Sequence, residues 1–296
     1  MTTPASEVMN AGASAEAIQY HYDAGNEFYR LWLDPTMTYS GAMYEPGDTL
    51  ETAQLRKIDY HIDQARARGA KRVLDVGSGW GGLLRRLAET HGVDRAVGLT
   101  LSRAQAEWAR SIAPPNVDFR VESWSDHEPE APYDGIISIG AFEHFARLES
   151  SDEERIASYR SFFARCRDWL RPHGRISLQT FAYGSLRPRE EGRLTAGTQF
   201  LASEIFPETD PPRLADIVAA SQGLFEIESL RNDRKDYAET CREWLRRLRA
   251  HRAEATPMVG EAGYAKYERY LQLSAIGFEA GYLALFRITL SRLGRS

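Results

Sequence analysis

The hydrophobic positions of this chain change period several times, and the changes mark its elements. TLETAQLRKIDYHIDQARA (49–67) places apolar residues at helical spacing and predicts an amphipathic helix. After it, short apolar runs alternate with helical stretches. KRVLDVG (71–77) reads as a buried strand and WGGLLRRLAETH as a helix. RAVGLTL (95–101) is a second strand, followed by a helix in SRAQAEWARSIA that stops at Pro114 and Pro115. VDFRVES (117–123) and YDGIISIG (133–140) give two more strands. EERIASYRSFFARCRDWL predicts a long helix ended by Pro172 and Gly174, with RISLQTF (175–181) a fifth strand. The rhythm breaks over 184–210, returns to helix in PRLADIVAASQG, and continues with a strand in FEIESLRN (225–232). Helices over 236–276 and a last strand in GYLALFRITLSR (281–292) complete it.

Strands alternating with helices imply an α/β fold with a mostly parallel sheet covered on both faces. The expected organisation is a flexible stretch over 1–16 and one domain over 17–296. Within that domain, 17–70 forms an N-terminal helical lid, 71–183 the nucleotide-binding core, and 184–210 and 236–280 substrate cap segments. Residues 17–45 are dense in aromatic side chains, which suits either a lid over something apolar or ordinary helix-to-core packing.

Composition narrows the function. The 296 residues include 43% hydrophobic and 27% charged positions, ordinary for a soluble globular protein. A formal net charge of −5 argues against nucleic acid as the main partner. The two cysteines, Cys166 and Cys241, match no metal-ligand spacing and suggest a reducing compartment. With no signal-like start and no long apolar run, the expected location is cytoplasmic, and no metal is expected.

The chemistry concentrates at strand ends. LDVGSGWGG joins the first strand to its helix, and glycines there let a ligand approach backbone amides at a helix N-terminus. The second strand ends in GLTLSRAQ, with Thr100 and Ser102 where a dinucleotide fingerprint wants an acid, and the chain has no GK[ST] loop. Asp75 followed by Val-Gly-x-Gly resembles the S-adenosylmethionine (SAM) site of class I methyltransferases. SIGAFEHF (138–145) sets Glu143 beside His144 after Gly140 and Ala141, which leave room at the strand's carboxyl end.

HYDAGNEFYRLWLDPTMTYSGAMY (21–44), LDVGSGWGG, GLTLSRAQ, SIGAFEHF and EIFPE (204–208) occur in this order with spacing that resembles the cyclopropane fatty acid synthase and mycolic acid cyclopropane synthase family. The resemblance covers nearly the whole chain from residue 17. It implies a Rossmann-like methyltransferase with a seven-stranded sheet and a helical cap. It implies SAM held by Tyr39, Ser40, Asp75, Gly77, Gly79, Thr100, Leu101, Gln105, Trp124, Ser125, Gly140 and Ala141, with Gln105 reaching the ribose and Trp124 covering the adenine. It also implies that a carbon–carbon double bond attacks the SAM methyl, leaving a carbocation quenched by proton loss. The catalytic positions are then Glu143, Tyr237, Gln179, Tyr22 and His144, the last in a supporting role.

In the family, a bicarbonate held by a Glu, a His, a Tyr and the backbone near a Cys serves as base. Here the His position falls on Gln179 and the Cys of TYSCA is Gly41. Gln removes a donor that can carry charge, which weakens the case for bicarbonate. The favoured reading is a C-methyltransferase acting on a lipid-like or isoprenoid alkene. True cyclopropane closure on unsaturated acyl chains is an alternative, as is a small-molecule N-methyltransferase using the Glu143/His144 pair. A non-catalytic SAM-binding protein is a further rival. The basic run RNDRKDYAETCREWLRRLRAHR (231–252) reads first as a solvated helix face and second as a contact for phosphate head groups or a peripheral membrane surface. A homo-oligomer is compatible with the aromatic N-terminal segment.

Overall fold

The computed structural model describes residues 14, 24–147, 150–186, 200–205 and 208–294. The predicted strands form as β1 (Arg72–Val76), β2 (Arg95–Thr100), β3 (Val117–Val121), β4 (Tyr133–Ile139), β5 (Leu170–Tyr183), β6 (Phe225–Asn232) and β7 (Leu283–Arg292). They make one sheet in the order β3-β2-β1-β4-β5-β7-β6. Pairing is parallel from β3 to β5, whereas β7 runs antiparallel to both β5 and β6. The chain winds outward from β1 on one side and from β4 on the other, so the crevice between the ends of β1 and β4 is the topological switch point.

Among the described residues the α-helices are α1 (Asn26–Arg30), α2 (Leu50–Gln64), α3 (Gly82–Glu89), α4 (Arg103–Ser111), α5 (Asp152–Trp169), α6 (Leu214–Ser221), α7 (Arg234–Ala250) and α8 (Arg252–Ala280). Local chemistry starts them where the sequence provides caps. Thr49 and Thr52 form a capping box on α2, and Ser151 and Glu154 form one on α5. Asp152, Glu153 and Glu154 place negative charge at the positive end of α5. Helix α8 is broken at Gly260, where φ is 74°.

One boundary differs from the sequence reading. Helix α5 ends at Trp169, and both Pro172 and Gly174 fall within β5, opposite an irregularity in its pairing with β4. The proline disfavours helical backbone at Arg171, so the chain turns extended before it arrives.

Three apolar clusters hold the layers. Phe142, Tyr159, Phe162 and Phe163 pack between the sheet and α5, with Phe142 and Tyr159 stacked at 4.4 Å. Ile58, Ile62, Leu84 and Leu87 fill the side covered by α2 and α3. The third cluster joins Phe28, Tyr29 and Trp32 of the N-terminal segment to Trp244 of α7 and to Tyr264, Tyr267 and Phe278 of α8. The described part of the aromatic segment is therefore packed core, with Trp32 fully buried edge-on against Trp244 at 5.7 Å.

Much of the 184–210 cap segment, most of residues 1–16, Tyr22, and Phe206 and Pro207 of EIFPE lie outside the described residues. No described helix is long and apolar enough to cross a membrane.

Candidate active site

The turn after β1 is built from glycines for reasons of space. Gly77 has φ 87°, and a Cβ there would lie 2.4 Å from the Cβ of Ala141, so the turns after β1 and β4 meet with nothing between them. Gly81, with φ 84°, faces Phe119 at a hypothetical 2.4 Å and lets α3 start close against the sheet. Above these turns lies a cleft of about 530 Å³, counted to its open mouth. Tyr39, Ser40, Asp75, Gly77, Gly79, Gln105 and Gly140, all candidate cofactor residues, line it, together with Lys57, Ser78 and Trp80.

Other candidates stand behind that lining. Thr100 donates to Gln105 Oε1 at 3.0 Å and so orients the amide, the side chain's one bond among the described residues. Leu101 follows Thr100 before the Ser102 cap of α4. Ala141 closes the turn beneath Gly77. Trp124 packs on Phe145 and Phe162, with ring centroids 5.2 and 5.5 Å away, at the rim of the α5-side core. The Ser125 hydroxyl bonds to Ser123 at 2.8 Å.

The floor of the cleft carries buried charge. Asp75 is 3% exposed, and burial pushes its carboxyl up to about 7, opposed by the nearby Lys57. Lys57 is fully buried and donates to Ser40 Oγ at 2.8 Å. Desolvation, then the repulsion of Arg287, pulls its ammonium down to about 7 against the pull of Asp34 and Asp75. A buried carboxylate whose burial outweighs the pull of Lys57 suits a cofactor that brings its own positive charge.

Glu143 sits on a single 3-10 turn, Phe142–His144, directly after β4. It is 3% exposed, and its Oε2 accepts from Thr180 Oγ1 at 2.9 Å. Oε1 lies 3.8 Å from where a Cβ on Gly140 would be, at the edge of the cleft. Desolvation pushes the carboxyl up to about 7, while its own amide, Thr180 and the Phe181 amide hold it back. His144 turns elsewhere: its Nδ1 bonds to Thr209 Oγ1 at 2.8 Å, and burial lowers its pKa to about 4. The adjacent acid and imidazole of the sequence are thus engaged by different partners, with His144 tying the turn to the 208–210 segment.

Gln179 belongs to a separate buried network. Strand alternation sends it and Thr180 to opposite faces of β5. Its Oε1 accepts from Arg287 Nε at 2.9 Å and pairs with His61 Nε2 at 3.2 Å, while its Nε2 donates to the Gly41 carbonyl at 3.2 Å. Among the described residues Gln179 and Glu143 share no hydrogen bond. Tyr237 stacks on Phe278 at 4.3 Å and packs edge-on to Trp244. Its ring also occupies the space above Gly41, where a Cβ would come within 2.8 Å of Tyr237 Cγ and of Leu285 Cδ2. Glycine at 41 therefore matters through volume as well as through its backbone. Gly41→Cys is expected to displace the Tyr237 ring and lower stability by about 1–3 kcal/mol, measured by urea unfolding.

Sequence reasoning missed Lys57, His61 and Arg287. Gln54, Lys57 and His61 sit at i, i+3 and i+7 on the buried face of α2. Polar residues on the core stripe of a helix were the available signal, as was Arg287 in the apolar run LALFRITL. The basic run of α7 is largely answered locally. Arg242 pairs with Glu239 and Glu279, Arg246 and Arg247 with Glu243, Arg249 with Glu268, and Arg252 with Glu261, at 2.7–3.1 Å.

A glycine-lined cleft at the switch point, closed by a buried acid and an aromatic N-terminal segment, defines a class I methyltransferase. The family profile described as mycolic acid cyclopropane synthetase matches residues 10–288. Cyclopropane mycolic acid synthase 2 of Mycobacterium leprae (strain TN) is 34% identical over 291 residues, covering 93% of each chain. The structure of cyclopropane synthase MmaA2 from Mycobacterium tuberculosis superposes with a TM-score of 0.84 at 32% identity, covering 95% of this chain and 99% of that one. Mycolic acid cyclopropane synthase CmaA1 complexed with SAH and CTAB gives 0.85 at 32% identity, with the same coverage. The chain belongs to the mycolic acid cyclopropane synthetase family, and it is an enzyme whose cofactor is SAM. The glycine cradle, the oriented Gln105 amide and the buried Asp75 fit that cofactor.

Proposed function

We propose that this enzyme adds a methyl group from SAM to a carbon–carbon double bond of a lipid-like chain and closes a cyclopropane by proton loss. The observation that carries the reading is Glu143, a buried carboxylate at the cleft edge with a hydroxyl partner in Thr180 and, among the described residues, no cation paired with it. SAM, when bound, supplies an electrophilic methyl. An alkene is a poor nucleophile, so the chain's contribution is to hold it in line and exclude water. The acceptor becomes a carbocation as it gains the methyl, and Tyr39 offers an aromatic face in the cleft wall. Glu143 adds a negative charge at the cleft edge that attracts the cation.

Ring closure is favoured over open-chain methylation by the relatives, which are named cyclopropane mycolic acid synthases at 32–35% identity across more than nine-tenths of this chain. Methylation that leaves the alkene in place is a second reading, favoured by the engagement of Gln179 within the protein. An amine acceptor is less well supported, because the Glu143 and His144 side chains bond to Thr180 and Thr209 and not to each other.

Incubation with SAM and a cis-unsaturated acyl lipid is expected to yield a product heavier by one CH₂ that has lost its olefinic proton resonances and gained upfield cyclopropane signals. Retained olefinic signals beside a new methyl would select the second reading. Methylation of amines alone would overturn both.

A further inference from the structure

The bicarbonate that the family resemblance implies does not fit the residues present. Both ends of the Gln179 amide are taken up by Gly41, His61 and Arg287. Arg287 is fully buried, and each of its nitrogens is engaged. Nε holds Gln179, Nη1 holds the Asp233 carboxylate, and Nη2 donates to the carbonyls of Gly41 and Ala42 at 3.2 and 2.7 Å. Its charge is answered by Asp233 and its donors by oxygens of the protein, so it offers little to an exogenous anion. The Tyr237 ring fills the room above Gly41. The Gln179 amide, the Gly41 carbonyl and the space above Gly41 are thus taken up within the protein.

Glu143 is the remaining position. Thr180 Oγ1 bonds Oε2, the Glu143 and Phe181 amides also donate to the carboxyl group, and Oε1 lies at the Gly140 edge of the cleft. Among the described residues no lysine, arginine or histidine pairs with it. A buried carboxylate lacking a cation holds a proton more tightly than a solvated one, which suits it to receive one.

Building on the alkene reading above, we propose that Glu143 itself is the terminal base and that no bound bicarbonate takes part. A C–H bond of the carbocation, on the transferred methyl or on a neighbouring carbon, breaks. Its electron pair forms the new carbon–carbon bond of the ring or alkene, which quenches the cation. The proton passes to the Glu143 carboxylate, and the neutral acid returns it to water after product leaves. Arg287 is a positioning residue in this scheme: it fixes the Ser40–Ala42 loop, Gln179 and, through Asp233, the start of α7 that carries Tyr237.

Two measurements on the full chain test this. Turnover of a cis-unsaturated acyl lipid in CO₂-free buffer should stay within about twofold when bicarbonate is added. A fall of tenfold or more on CO₂ removal, restored by bicarbonate, would overturn the proposal. The second measurement needs no turnover: ¹³C-bicarbonate titrated into the protein with S-adenosylhomocysteine should show no saturable line broadening. Saturable broadening that Glu143→Gln abolishes would overturn it, whereas broadening that first emerges in Gln179→His would support it. If no alkene is consumed, the reading on which the proposal rests fails visibly in the first measurement, while the second still reports on the anion.

Discussion

Glu143→Gln is expected to lower turnover by on the order of a thousandfold while leaving SAM affinity within about twofold of the parent. The amide keeps an acceptor for Thr180 and nearly the same volume, so the turn after β4 has no reason to move. What disappears is the group that can accept a proton and balance a cation. The same change should stabilise the protein without ligand. The folded carboxyl titrates near 7 against an ordinary value of 4.5. Between those values the folded state binds more protons than the unfolded one, so stability falls as pH rises through this window. Above it the penalty is complete, roughly 3 kcal/mol for a displacement of this size. The variant should therefore unfold at higher urea than the parent at pH 8, with the difference closing towards pH 5. Turnover of the parent should rise with pH through about 7 as Glu143 ionises. Asp75 and Lys57 titrate in the same range, so the profile needs an Asp75→Asn comparison to be read. Survival of turnover in Glu143→Gln would remove Glu143 from the chemistry.

The second large effect is expected from Gly77→Ala. The new methyl would sit 2.4 Å from Ala141 Cβ, on a residue whose φ of 87° already disfavours any side chain. Left-handed backbone costs about 1–2 kcal/mol, and the overlap must then be relieved by parting the turns after β1 and β4. Those turns form the cleft floor, so SAM affinity should fall by on the order of a hundredfold or more in calorimetry, about 2.7 kcal/mol by the usual conversion. Gly92→Ala separates the two causes. Gly92 has φ 63° but nothing within 4 Å of its added Cβ, so that variant should bind SAM like the parent while losing a little stability.

Much of the fold was legible because each element carries one dominant period. The strands before β6 and the helices between them were bounded to within a few residues, since buried parallel strands are nearly uniform apolar runs and their helices are amphipathic. The glycine turn and Glu143 were legible because their residue types are unusual where they occur. What could not be read was contact across the sheet. Gln179 was set with Glu143 only by the family resemblance, and the pleat turns it towards α2 and β7. Arg287 and Lys57 escaped notice because a single cation in an apolar stretch gives no sign of which distant segment it will hold. The contacts of Trp124 with Phe145 and Phe162 at the core rim could not be read either.

Strand β7 lies inside the sheet, between β5 and β6, although it follows both in the chain. During synthesis, then, β5 leaves the ribosome with one side unpaired, and β6 has no sheet neighbour until the chain has grown past α8. The guanidinium that fixes Gly41, Ala42 and Gln179 emerges on that same late strand. A nascent chain can thus acquire its glycine turn early but not a fixed reaction centre.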